Sequence, residues 1–473
     1  MKKFTKILLI GCLLVMVSCN NWLDVDPKSQ VKDKDLFASE MGFKEALSGV
    51  YSLMTKEALY GKELTFGWLG VLGQEWTSVP YNYEDDQKYD FENAASEVRI
   101  DSVWTGLYNA IANANKLLKE LEGKENLFSG DNYFIIKGEV LALRAYLHFD
   151  LLRIFGASCT VGMERIAIPY VTEYAPTIFP QEKVGDFVGK VLNDLQDAAK
   201  CLENDPILTG RTVSEIDDNG YLMNRQVHLN YYAVKGLMAR VYLYKGDYAN
   251  AEVCAKEVIG SGCFEWVKQE NLTNESVADL TFSTEHLFAL NIVTLGNIVD
   301  KYLDGGNNSF ALEESRLSEY YGSSYDYRYL YLFKTGVGMS NTLRYLKKYD
   351  QLESVSWAQS YRNKLPLICL PEMYYILAEC RYHSSGDVLE PLNEVCRHRG
   401  VADLSEADLS AFETLLLAEY RKEVIGGGQL FFQYKRLNRS VVPGTDVDLA
   451  GEGRYVIPMP KEELENPGWV SNQ

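Results

Sequence analysis

Residues 235–258 read KGLMARVYLYKGDYANAEVCAKEV. The spacing predicts two antiparallel helices joined by a tight turn at Gly246-Asp247. Small Ala239 and Ala251 let the helices approach closely, while Tyr242 and Tyr248 fill the groove between them. Gly246 ends the first helix, where a left-handed backbone is needed. A looser copy follows at Pro371, EMYYILAECRY, Ser384-Ser385-Gly386-Asp387 and LEPLNEVCRHRG. In register, Tyr382 matches Tyr242, Gly386 matches Gly246 and Val388 matches Tyr248, with Pro391 in place of Ala251.

Outward from these two units the helical period continues. Leu107, Ile111, Ala114, Leu118 and Leu121 form one stripe, and Ile136, Val140, Leu143, Leu147, Leu151 and Ile154 another. Phe187, Val191, Leu195, Ala198 and Leu202 form a third. Alternating Val-rich strands are scarce. The expected fold is mainly α: a tetratricopeptide-like scaffold of about four helical pairs. The pairs are placed near 41–54 with 101–122, 131–156 with 185–203, 230–245 with 247–260, and 371–384 with 386–399. Long stretches at 55–100, 157–184 and 261–370 separate them and are expected to build a loop-rich binding lobe.

The 473 residues carry 47 Lys+Arg and 66 Asp+Glu, a net charge of −19. So acidic a chain is a poor binder of nucleic-acid phosphates. Hydrophobic residues at 47% exclude a disordered or collagen-like chain. Lys2, Lys3 and Lys6 precede an apolar run from Ile7 to Val17, too short to span a bilayer and suited to a secretion signal over 1–18. Ser18-Cys19 resembles a bacterial lipoprotein cleavage box, with Met16 where Leu is more usual; this implies acylation of Cys19. The remaining cysteines, 159, 201, 254, 263, 369, 380 and 396, lack CxxC spacing and read mostly as buried free thiols, with room for one disulfide.

Six pieces in order resemble the SusD-like (RagB/SusD) outer-membrane nutrient-binding lipoproteins. They are Cys19 to Pro27, GEVLALRAYLHFDLLRIFG (138–156), Ile168 to Thr172, LPEMYYILAE (370–379), EYRKEVIGGGQLFFQYKR (419–436) and the closing YVIPMPKEELENPGWVSNQ. Gly427, Leu430 and Gln433 depart from the family's Glu, Arg and Asp, changes expected to affect packing rather than ligand capture. The resemblance implies one SusD-like domain over 19–473, with an N-terminal part (about 20–225) interlocked with a C-terminal part (about 226–473). It implies a lipid-anchored, cell-surface protein of the outer membrane that captures oligosaccharide or polysaccharide. The glycan passes to a SusC-type TonB-dependent transporter, and no catalysis is implied. A peptide-capturing protein of the same family and a surface glycoside hydrolase are the alternatives.

Sugar binding needs flat aromatic faces and polar groups that orient the hydroxyls. The insertion Gly67–Asp86 offers Trp68, Trp76, Tyr81, Asn82 and Tyr83. The stretch 302–349 offers Tyr320 and Tyr321 before the turn Gly322-Ser323-Ser324, and the run Tyr325–Phe333 reads partly as a strand with one buried face. Burial competes with binding for each ring. Trp22 and Trp104 read as core or anchor residues. No GxSxG, HExxH or P-loop motif is present, and the five histidines are scattered, His148 lying in an apolar helix. A glycosidase needs only two suitably spaced carboxylates, which counting does not exclude. Asp85-Asp86 and Asp446-x-Asp448 could hold a structural Ca²⁺ but lack EF-hand spacing and read first as solvated acidic residues; no cofactor is expected.

Overall fold

The computed structural model describes residues 34–209, 220–274, 277–336, 342–351 and 361–472. The expected signal segment (1–18), Cys19 and Trp22 lie outside them. Residues 235–258 form the predicted antiparallel helical pair. Helix α5 (Tyr231–Lys245) starts at Asn230, whose side chain accepts the Ala233 N–H. It ends at Gly246, at φ 82°. Asp247 then caps α6 (Tyr248–Ile259). Ala239 and Ala251 are fully buried at the helix contact. Tyr248 departs from expectation: it stacks on His383 of the looser copy, at 3.9 Å between centroids.

Six further helices complete four pairs: α1 (Glu40–Met54) with α2 (Ala94–Leu121), α3 (Asn132–Phe155) with α4 (Val184–Cys201), and α9 (Leu370–Ser384) with α10 (Leu389–His398) beside the α5–α6 pair. Each pair also packs on the next, through α2–α3, α4–α5 and α6–α9, as in a solenoid. Between α3 and α4 the approach is close: a Cβ at Gly138 would meet the Leu202 side chain at 2.7 Å. In the looser copy the left-handed cap is Ser385 (φ 58°), one residue ahead of the aligned Gly386. Pro391 lies in the first turn of α10, where its missing N–H has no helical acceptor to lose.

Among the described residues between α6 and α9 lie α7 (Leu295–Tyr302), α8 (Glu314–Tyr321) and five strands. β1 (His286–Asn291) pairs antiparallel with β5 (Lys364–Cys369), Leu290 opposite Leu365. β2 (Leu312–Glu313), β4 (Leu343–Leu346) and β3 (Phe333–Thr335) form a small antiparallel sheet in that order. Helices α11 (Phe412–Glu423) and α12 (Leu430–Arg436) follow α10.

Helix α3 is buried on nearly every side, so its polar residues need internal partners. Arg144 holds Asp194 with two 2.7 Å bonds. Glu139 accepts from Arg225 at 2.6 Å and from Tyr51 at 2.9 Å. Burial favours a neutral Glu139, but His228 and Arg225 outweigh it and hold the carboxyl down to about 2. His148 sits between the Arg144 carbonyl (Nδ1, 2.9 Å) and the Val171 N–H (Nε2, 2.9 Å), a satisfied structural residue. The seven described cysteines are all unpaired.

The block 419–436 accommodates its departures. The Gln433 amide oxygen accepts from Arg436 at 3.0 Å, and Arg436 keeps a carboxylate partner in Glu379 at 2.7 Å. Leu430 is fully buried. Gly427 borders a small internal cavity together with Lys348, Glu285 and Glu423.

Candidate functional site

The two aromatic insertions meet. Thr77 and Ser78 both donate their N–H groups to the Ala311 carbonyl at 3.0 Å, and the Glu313 N–H donates to the Thr77 hydroxyl at 2.6 Å. β2 leads directly into α8, which ends at Gly322 (φ 63°). Adjacent residues of an α-helix point about 100° apart, so Tyr320 and Tyr321 part ways. Tyr321 is buried and its hydroxyl donates to the Lys422 carbonyl at 3.1 Å. Tyr320 is half-buried, with the Arg421 guanidinium 4.3 Å from its ring centroid. Arg421 also donates to the Gln74 carbonyl and the Tyr434 hydroxyl, both at 2.7 Å. One face of the Tyr320 ring is thus fixed by a clamped cation.

The first insertion corrects several expectations. Trp68 and Trp76 are core residues: the indole of Trp68 donates to Asp86 at 2.9 Å, and that of Trp76 to the Phe66 carbonyl at 2.7 Å. Tyr81–Tyr83 form a single 3-10 turn after Pro80. It points Tyr83 inward, 1% exposed, and leaves Tyr81 86% exposed beside exposed Asn82. Tyr83 donates to Glu63 at 2.8 Å, accepts from Lys62 at 2.9 Å and lies under the Arg99 guanidinium at 3.9 Å. The acidic tract gave no guide to exposure, because Asp86 is itself fully buried between Arg99, Ser96 and Trp68. Burial pushes its carboxyl up to about 6 against the pull of Arg99.

These partners also occupy the candidate Ca²⁺ ligand Asp86, while Asp448 accepts the Gly451 N–H at 2.8 Å. No cluster of three His, Cys, Asp or Glu able to hold a metal occurs among the described residues.

The tyrosine run departs too. Tyr327–Tyr331 is a short helix, and strand β3 begins only at Phe333. Burial alternates only in part: Asp326, Arg328 and Leu332 are buried, Tyr327, Tyr329 and Tyr331 are partly exposed, and Leu330 between them is exposed. Arg328 goes inside because three carboxylates meet it there, Asp326 at 2.7 Å, Glu423 at 2.9 Å and Glu419 at 3.1 Å. Tyr327 donates to Gln269 at 3.2 Å and Tyr329 to Glu314 at 2.8 Å, which orients both rings. Tyr325 is 76% exposed. The outward tyrosines are therefore more numerous than sequence reasoning allowed.

A ring-lined cleft of about 410 Å³ was not foreseen. It lies between α2 and the C-terminal tail and is walled by Trp104, Tyr108, Phe179 and Trp469, with Asn109 and Asn466 at its edge. Trp104 is buried as expected and donates to Glu463 at 3.0 Å.

Fold and lobe together define a tetratricopeptide-like scaffold protein with ring-rich insertions on its surface. The family model SusD-like_3, described as "Starch-binding associating with outer membrane", matches residues 21–243. SusD-like protein P38 of Formosa agariphila is 25% identical over 269 residues, 56% of this chain and 47% of its own length. The chain thus matches about half the length of that relative, and 28% of a second, SusD-like protein P25 of the same organism. A SusD superfamily protein from Bacteroides thetaiotaomicron superposes with TM-score 0.74 at 21% identity, over 92% of this chain and 100% of that one. Surface glycan-binding protein A from Bacteroides fluxus superposes with TM-score 0.68 at 17% identity, over 91% and 100%. The chain is thus similar to SusD-like proteins in sequence over residues 21–243, and it shares the fold of the superposed structures over nine-tenths of its length.

Proposed function

We propose that this chain is a non-catalytic carbohydrate-binding lipoprotein of the outer cell surface, anchored through acylated Cys19. In this reading it captures oligosaccharide and passes it to a SusC-type TonB-dependent transporter. The family description and the glycan-binding relative support the ligand class. The observation that carries it is a set of outward rings on two insertions that pair at Thr77 and Ala311: Tyr81, with Asn82 beside it, and Tyr320 backed by Arg421. A ring held from behind by a cation offers its free face to the C–H side of a sugar without losing further conformational freedom.

The test is calorimetry of the mature chain against a panel of neutral glycans, with Tyr81→Ala, Asn82→Ala and Tyr320→Ala alongside. A ligand whose affinity falls in these variants supports the reading; unchanged affinity in all three removes this face from it. Product analysis of the same incubations should show intact glycan, and cleavage that survives repurification would establish a hydrolase. Mass spectrometry of the membrane-extracted protein should find the acyl groups on Cys19. Purification in mild detergent should bring a large barrel protein with it.

A further inference from the structure

A second hollow, of about 450 Å³, lies between the end of α3 and the C-terminal segment, within the size range of small-ligand clefts. Phe91, Val161, Leu449 and Tyr455 form its apolar wall. Its charge runs against that of the chain. The lining holds the guanidinium groups of Arg165 and Arg454 against one carboxylate, Glu452, in a protein of net charge −19.

The polar groups there are under-used. Arg165 is exposed, and its guanidinium has no ion-pair partner among the described residues. Arg454 is held to Glu452 at 3.3 Å. Ser158 is buried, and its hydroxyl has no hydrogen-bond partner among the described residues. Asn438 is exposed, at φ 48°. The buried Lys435 amine donates to the Ile154 carbonyl at 3.2 Å. Burial, with Arg153 nearby, depresses its pKa well below the usual lysine range, so it acts as a hydrogen-bond donor rather than a fixed charge. Asn472 is committed elsewhere, to the Phe155 and Ile457 carbonyls.

A free guanidinium is suited to grip a carboxylate or sulfate through paired N–H bonds. A buried hydroxyl without a partner lacks a bond that a ligand hydroxyl can supply. We propose that this hollow binds an acidic saccharide, a sugar bearing a carboxylate or sulfate, as a site separate from the tyrosine face. Arg165 and Arg454 take the acid group, Ser158 and Asn438 the ring hydroxyls, and the apolar wall the C–H face. The proposal rests on the carbohydrate-binding reading above.

The test is calorimetry of the mature chain with digalacturonate, its neutral counterpart galactobiose, and sodium sulfate. Digalacturonate should bind at least tenfold more tightly than galactobiose, and Arg165→Ala and Arg454→Ala should each weaken it about tenfold. Both side chains are exposed, so the variants keep the fold, and their affinity for any neutral glycan held at the tyrosine face should not move. Equal affinity for the two disaccharides, or no loss in Arg165→Ala, overturns the proposal. Sulfate binding as tightly as digalacturonate overturns the saccharide class in favour of a bare anion. If neutral glycans bind while digalacturonate does not, this site alone fails; if no glycan binds, the carbohydrate reading fails with it.

Discussion

Glu75 accepts the backbone N–H of Gly426 at 2.7 Å, although 351 positions separate the two residues. The carboxyl is fully buried, and its second oxygen has no hydrogen-bond partner among the described residues. Burial pushes its pKa up from 4.5 to about 7, despite the Gly426 bond. A carboxyl raised on folding costs nothing below its unfolded pKa, where both states are protonated. The cost grows as pH rises from 4.5 to 7 and is then constant. Glu75→Gln keeps an acceptor for Gly426 and removes the charge. Relative to wild type it should gain about 1–3 kcal/mol of stability between pH 4.5 and pH 8. Denaturant melts at the two pH values check this, and a difference that does not change with pH would refute it.

His148 titrates with the opposite consequence. Burial lowers its pKa from 6.5 to about 3. Its Nε2 accepts the Val171 N–H, so a proton there would face another proton. The stability this confers is complete above pH 6.5 and is lost as pH falls towards 3. Unfolding free energy should drop by about 1–2 kcal/mol between pH 6.5 and pH 5 from this residue. NMR titration of the His148 ring should show it neutral at pH 5.

Trp76 and Tyr320 should separate stability from binding. Trp76→Ala should cost about 3–5 kcal/mol, because it empties a core position and strands the Phe66 carbonyl. Tyr320→Ala should move the melting temperature little and weaken a neutral glycan by about 1–3 kcal/mol. Thermal melts and calorimetry on both variants decide the assignment.

Arg399 is buried between Glu285 (2.6 Å) and Glu423 (2.7 Å). Burial raises the Glu423 carboxyl, yet Arg399 and Arg328 together hold it down to about 2. Arg399→Met leaves two carboxylates facing each other without that cation and should destabilise by about 3–5 kcal/mol. Adding Glu285→Gln should recover part of the loss in a double-mutant cycle.

The scaffold was legible because its signal is periodic. Leu107 to Leu121 and Ile136 to Ile154 repeat at helical spacing, and Gly246 marks a turn that requires left-handed backbone. The candidate face was less legible because an aromatic residue in a loop reads the same whether it lies in or out. What sends Trp68 inward is an acceptor 18 residues away, and what places Arg328 inside is a set of carboxylates from α11 as well as from Asp326. Hydrophobic patterning does not register a core built partly of ion pairs, so the outward turn of Tyr327 and Tyr329 followed from charges, not from the rings.

The ties from Thr77 to Ala311 and from Glu75 to Gly426 set a timetable for synthesis. The segment around Trp68 and Trp76 leaves the ribosome early, yet its supporting partners emerge some 234 and 351 residues later. Until then both indole rings belong to an unfinished structure that chaperones and proteases can reach. A premature stop codon anywhere before Gly426 should therefore yield a chain that is degraded rather than a shorter working protein.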